Sequence, residues 1–191
     1  MKPGFNRNKK PENVVKEENA IVLDVVLDNQ NTFKDDELIQ AIGTTGFTIL
    51  ELVPKQGVLL KNGDRVYIGD GKREEIQYIK KTLTPDKLST TAQSELNFVL
   101  MEIVKEKEKD FVNFFNNAGP ITIRKHSLEL IPGIGKKHLK DLLEKRDEKK
   151  FEDFNDIKAR CSFLHEPEKA ISERIIKELN GEEDFRLFTK K

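Results

Sequence analysis

The stretch that most limits what this chain can become is Leu-Ile-Pro-Gly-Ile-Gly-Lys-Lys-His-Leu at residues 130–139. Pro132 cannot continue a helix that reaches it, because its ring removes an amide donor and collides with the preceding turn. Gly133 and Gly135 accept backbone angles or close approaches that a Cβ hinders, and Ile134 between them can plug the gap between two flanking elements. Upstream, Ile123, Leu128 and Ile131 recur at roughly helical spacing, and downstream Leu139, Leu142 and Leu143 do the same. The pattern predicts two short amphipathic helices joined by a tight Pro-Gly-Ile-Gly turn, over residues 121–147.

Such a turn carries its own chemistry. The first amides of the helix that it opens have no partner within that helix and lie at the positive end of its dipole, which suits a phosphate oxygen. Lys136 and Lys137 place two full charges on the first turn, and Lys140 extends the set. The order Ile131, Gly133, Ile134, Gly135 resembles the apolar-Gly-apolar-Gly pattern of the helix-hairpin-helix motif, whose hairpin amides bind a nucleic-acid phosphate without reading sequence. The resemblance implies that role for Gly133, Ile134, Gly135, Lys136, Lys137 and Lys140. A helical hairpin whose glycines serve only a tight crossing would carry the same residues.

Net charge does not choose between these readings, since 34 basic residues balance 34 acidic ones. Distribution is more informative. Residues 1–16 hold five basic side chains and one acidic, and residues 121–150 hold nine and five, whereas residues 17–85 hold eight and twelve. The positive segments are an N-terminal arm and the hairpin, so one excess of charge coincides with the phosphate-friendly turn.

Residues 1–18 are polar and basic with little to bury, and are expected to be a disordered arm. From Ala20 a β-branched run of strand length begins. Asp28 to Asn31 turns the chain, and a short polar stretch with Leu38, Ile39 and Ile42 follows. Strands are expected at residues 47–53, ended by Pro54, at 65–68, and across Ile76, Tyr78 and Ile79. Short strands between Gly-rich turns indicate a small β-barrel over residues 19–84, and the segment from Asn62 to Ile68 resembles a strand of the OB barrel. OB barrels often bind single strands through exposed aromatics. Here only Tyr67 and Tyr78 qualify, with Lys72 and Arg73 on a loop, so a barrel that packs on helices or binds a protein is equally open.

Residues 85–191 are expected to be helical. Leu88, Ala92, Leu96, Leu100, Ile103, Val104, Phe111 and Phe115 form a long apolar stripe ending near Gly119-Pro120. Asp153 suits a helix N-cap and Pro167 a first helical position, giving a degenerate second hairpin over residues 152–180 whose connection lacks glycine. Phe185, Leu187 and Phe188 make the C-terminal segment too apolar for a free tail.

No catalytic constellation emerges. His126, His138 and His165 are scattered, a single cysteine, Cys161, excludes a disulfide and a Cys-based zinc site, and Gly69-Asp70-Gly71-Lys72 lacks P-loop spacing. Helix-hairpin-helix modules also occur in base-excision glycosylases, but nothing here matches their aromatic pocket for a flipped base. We therefore expect no enzyme activity, no metal and no cofactor. No apolar run approaches the roughly 20 residues that cross a bilayer, and residues 1–19 lack a signal-like core, so the expected setting is the cytoplasm.

The whole order resembles one group more specifically. The strand-rich barrel and long helix, the segments Ala118-Gly119-Pro120-Ile121-Thr122, His126 to Leu130 and Pro132 to Lys137, and the terminal Phe185-Arg186-Leu187-Phe188 are similar to an archaeal family of uncharacterised proteins regarded as RNA-binding. That family combines an OB-like barrel with a helix-hairpin-helix unit. The resemblance spans residues 19–189 and implies an α+β fold with an RNA or DNA backbone, or a ribonucleoprotein, as partner. The competing expectation is a protein-interaction adaptor in which the hairpin is structural.

Overall fold

β-Branched side chains pack well on a pleated surface, and the run after Asn19 forms the first strand of the computed structural model, which describes residues 16–27 and 37–189. Most of the expected basic arm and the turn at residues 28–31 lie outside the described residues. The strands are β1 (Asn19–Leu27), β2 (Glu37–Gly43), β3 (Ile49–Pro54), β4 (Arg65–Tyr67) and β5 (Ile76–Thr82). They form one curled sheet in the order β4-β1-β2-β3-β5, with each neighbouring pair antiparallel.

Direction decides how far the curl goes. β4 and β5 both run parallel to β2, so the ring would close only through a parallel β4–β5 pair, and no such pair forms. The sheet is a five-stranded half-barrel. β2 is the strand that the sequence pattern does not announce; it owes its place to pairing on both sides, which buries all of it except Glu37.

Both faces of the sheet are covered. Ala20, Val22, Ile39, Ala41, Leu50 and Leu52 turn into the curl with Val66, Ile68 and Ile76, while Ile21, Leu23, Ile42, Phe47 and Ile49 join the core of the helices. The apolar stripe becomes α1 (Thr90–Glu106) and α2 (Glu108–Asn117), separated at Lys107. Ser89 pins the start of α1 to the sheet: its Oγ accepts from the Ala92 amide at 3.0 Å and donates to Asp24 at 2.6 Å, while its own amide donates to Gln40 Oε1 at 2.8 Å. One hydrophobic core thus runs across the expected boundary at residues 84 and 85.

A second pin lies at the first described residues. The buried carboxylate of Glu17 accepts from the amides of Thr45, Gly46 and Thr48 at 2.8, 2.8 and 3.0 Å, and a Cβ on Gly43 would overlap that carboxylate. The same loop holds the buried Phe47 at φ +57°, a left-handed angle rarely adopted by an aromatic residue.

Beyond Gly119 the structure departs from the expected helix. Pro120–Thr122 (β6) and Lys125–His126 (β7) form a small β-hairpin, and only Ser127–Leu130 turn helically, as a 3₁₀ segment. The cause is local chemistry: Ile121, Thr122 and Ile123 favour extended backbone, and Ser127 ties both its amide and Oγ to the Gly119 carbonyl, at 3.0 and 2.6 Å. Ile123, counted in the apolar repeat, is fully exposed.

The remaining helices are α3 (Lys136–Glu148), α4 (Phe154–Arg160) and α5 (Pro167–Leu179), with Asp153 capping α4 and Pro167 opening α5 as their residue types predict. The C-terminal segment docks. Arg174 and Glu178, buried together on α5, share an Nε to Oε1 bond of 2.9 Å. Glu178 also accepts from the amides of Leu187, Phe188 and Thr189 and from the Thr189 hydroxyl, at 2.7 to 3.1 Å. Arg174 pairs with Glu183 at 2.7 Å and donates to the carbonyls of Phe185 and Leu130. Phe188 then meets Phe111 and Phe114 edge to face, with centroids 5.3 and 5.0 Å away.

Candidate nucleic-acid interface

Pro132 and Gly133 are the central residues of a β-turn closed by the Ile134 amide donating to the Ile131 carbonyl at 3.1 Å. Gly133 has φ +88°, which is the requirement of the third residue of a type II turn, and Pro132 supplies the φ of the second. Ile134 is buried in the shared core, so the plug expected between the glycines is present. Gly135 differs from Gly133. Its φ of −83° suits any residue and no atom lies within 4 Å of where its Cβ would stand. It is the N-cap of α3, and it offers no side chain to cap the helix.

The consequence is a helix start left open. Leu139 is the first amide to find a helical acceptor, on the Gly135 carbonyl at 2.8 Å. Among the described residues the amides of Gly135, Lys136, Lys137 and His138 have no protein acceptor, and Lys136 and Lys137 are exposed without an acidic partner. Lys140 is less available, since it lies 3.7 Å from Glu144.

Behind the turn, His138 holds the geometry. Its Nδ1 lies 2.8 Å from the Gly133 carbonyl, and its ring stacks on Phe163 with centroids 4.3 Å apart and 8° between planes. The connection from Cys161 to Glu166 therefore supports the turn from below, through Phe163, although it has no glycine of its own. At the far end of α3, Arg160 donates to the carbonyls of Lys145 and Lys149 and lies over the Phe151 ring at 4.6 Å, which secures the helix C-terminus.

The turn opens into a shallow concavity of about 460 Å³ whose wall includes Lys125, Glu129, His138, Arg174, Lys177 and Glu183. Lys125 and Lys177 are exposed and lack ion-pair partners among the described residues, whereas Arg174 is spent on Glu178 and Glu183. Neither lysine belongs to the set expected from sequence. Lys125 carries a weak signal as part of Arg124-Lys125; Lys177 has none, because only the packing of α5 beside the turn brings it close.

The other expected contact residues lie elsewhere. Lys72 and Arg73 occupy the loop between β4 and β5, where Lys72 pairs with Glu74 at 3.3 Å and Arg73 Nε donates to the Gly69 carbonyl at 3.0 Å. The structure places Gly133, Ile134 and Gly135 on the turn and Lys136, Lys137 and Lys140 along the start of α3, and does not place Lys72 or Arg73 beside them. The Tyr67 hydroxyl accepts from the Gly71 amide, which leaves Tyr78 as the exposed aromatic of the barrel among the described residues. Cys161 is buried, and burial pushes its thiol pKa up, away from nucleophilic reactivity. No cluster of metal ligands forms among the described residues, and no helix among them is long and apolar enough to cross a membrane.

The β-hairpin that replaces the expected helix adds a titratable support. His126 Nδ1 accepts from the Leu128 amide at 3.2 Å, and the Glu129 carboxylate accepts from the His126 amide at 2.8 Å, a reciprocal cap. Burial first, then the charge of Arg146, lowers the His126 pKa from its ordinary 6.5, against an opposing pull from Glu129. A histidine held neutral in the fold contributes stability above its unfolded pKa, and that contribution is lost as pH falls from 6.5 through the lowered folded value. We expect His126→Asn, which keeps an acceptor but does not titrate, to lose less stability than the wild type between pH 7.5 and 5.5, values chosen to lie about one unit either side of an ordinary imidazole. Urea unfolding at both pH values measures the difference; equal losses would show that His126 does not couple to folding.

Three similarities bear on identity. A solved structure, that of Af1531 from Archaeoglobus fulgidus, is 38% identical and superposes with a TM-score of 0.84, covering 91% of this chain and 100% of that one. The uncharacterized protein MJ0038 of Methanocaldococcus jannaschii is 39% identical over 188 residues, which is 97% of this chain and 85% of the relative. The family model described as "Protein of unknown function (DUF655)" matches residues 16–190, the family that also models the Archaeoglobus structure. The chain therefore belongs to the DUF655 family.

Proposed function

We propose that this protein is a nucleic-acid-binding protein, not an enzyme, that holds phosphates without reading sequence at the turn from Gly133 to Lys137. RNA is its expected ligand and the cytoplasm its expected setting. In this reading the turn is a helix-hairpin-helix unit whose first helix has shrunk to the 3₁₀ segment, and the half-barrel is an OB-like scaffold left open at one seam. The observation that carries it is a coincidence of groups unsatisfied among the described residues: free amides at Gly135, Lys136 and Lys137 with two unpaired lysine charges on the same helix turn. An anion would satisfy both at once. The half-barrel supports binding less well, because its loop cations are already engaged.

Gly135 allows binding to be separated from folding. Aspartate is a stronger N-cap than glycine by a few tenths of a kcal/mol, and Gly135 has the backbone angles and open space to accept it. The same carboxylate would occupy the amides and repel a phosphate. Gly135→Asp is therefore expected to melt at or slightly above the wild-type temperature while binding RNA at least about tenfold more weakly, the loss of one charge-assisted hydrogen bond. Thermal unfolding beside a filter-binding titration measures both. Unchanged affinity in a folded variant would favour the adaptor reading, in which the turn is structural and a largely apolar interface elsewhere binds a protein.

A further inference from the structure

The β-hairpin from Pro120 to His126 ends in a tip that turn chemistry does not explain. Two-residue hairpin turns favour Asn-Gly or Gly-containing pairs, yet the central residues here are Ile123 and Arg124, neither at positive φ. Ile123 has 105% of its reference exposure, so its side chain touches nothing, although Ile121 two residues earlier is half-buried. Arg124 and Lys125 beside it are exposed and have no acidic partner among the described residues; Lys125 approaches only the Phe185 ring, at 5.9 Å. Lys125 also lines the concavity that contains Gly133, Ile134 and Gly135, so the base of this finger and the phosphate cradle border one surface. An aliphatic wedge flanked by cations matches one kind of partner: a base step whose stacked faces are apolar and whose flanking phosphates are anionic.

We propose that Ile123 inserts against a base step of the nucleic acid whose backbone the turn at Gly133 to Lys137 holds, with Arg124 and Lys125 on the neighbouring phosphates. The inference rests on the reading of that turn as a phosphate cradle. It adds a base-contacting element to an interface otherwise made of backbone contacts. It also sets a preference for nucleic acid with an accessible, easily unstacked step, as at a helix–loop junction, over a uniform duplex.

The test uses the full chain with a stem-loop RNA carrying 2-aminopurine at the junction, the matching perfect duplex, and a polyuridine strand. Wild type is expected to raise 2-aminopurine fluorescence on the stem-loop and to bind it more tightly than the other two. Ile123→Ser, at a site that contacts nothing, is expected to melt as wild type does, to keep the salt dependence, and to lose the fluorescence rise with several-fold of the stem-loop preference. Arg124→Ala with Lys125→Ala is expected to flatten the salt dependence and keep part of the fluorescence rise. If Ile123→Ser retains both the fluorescence rise and the preference while Lys136→Ala with Lys137→Ala loses affinity, the wedge is wrong and the cradle stands. If wild type binds none of the three probes, the cradle reading fails and this inference with it.

Discussion

Glu178→Ala is expected to lower the unfolding free energy by about 3–5 kcal/mol, the range for breaking a buried ion pair by removing one partner. The magnitude follows from what remains. Arg174 would keep Glu183 and two carbonyls but lose its buried carboxylate, and the amides of Leu187, Phe188 and Thr189 would lose their acceptor together. Phe188 would keep its ring contacts with Phe111 and Phe114 but lose the backbone anchor beside them, so the last residues should become accessible to protease well before the sheet opens. Urea unfolding with limited proteolysis measures both effects. A loss below about 1 kcal/mol, typical of an ordinary surface change, would mean that the pair does not hold the tail.

Lys136→Ala with Lys137→Ala is expected to weaken binding similarly across sequences. It should flatten the dependence of log affinity on log salt by about 1.4 on a single strand or 1.8 on duplex DNA, as the loss of two released counterions requires. These lysines have no protein partner to lose among the described residues, so folding should change little. Lys72→Ala with Arg73→Ala is the comparison. Lys72 is already paired with Glu74 and Arg73 is hydrogen-bonded to the Gly69 carbonyl, so the loop pair should change the slope less. A salt titration of the three proteins on one RNA decides between turn and loop, and an unchanged slope in the hairpin variant would remove its lysines from the interface.

Much of this architecture can be read from residue types because local chemistry and tertiary packing agree there. Asp153 and Pro167 begin α4 and α5, Gly181 with φ +73° follows the end of α5, and Pro132-Gly133 makes the turn that its residues demand. Where the two disagree, sequence pattern misleads. Ile123, Leu128 and Ile131 share helical spacing, yet Ile123 sits on a strand turn because Ser127 bonds back to Gly119 across the hairpin and His126 caps the 3₁₀ segment that follows. β2 is hidden for the opposite reason, since pairing on both edges confers an order that propensity does not. The groove cations show a third limit. Lys125 and Lys177 are 52 positions apart, and nothing local relates them before α5 packs behind the turn.

The parity of the sheet bears on how copies of this protein meet one another. A half-barrel left open between β4 and β5 keeps two strand edges, and unsatisfied backbone groups along an edge invite a neighbouring chain to zip on. β4 offers only three residues to such a neighbour. β5 offers seven, but shifts in its register against β3 at two points interrupt its line, and Lys80 and Lys81 stand in its second half. A second copy approaching this edge would meet a bent track with the Lys81–Glu51 ion pair, at 3.2 Å, beside it. A short or bent edge with charge beside it gives a neighbouring strand less to pair with than a straight, apolar edge of the same length would.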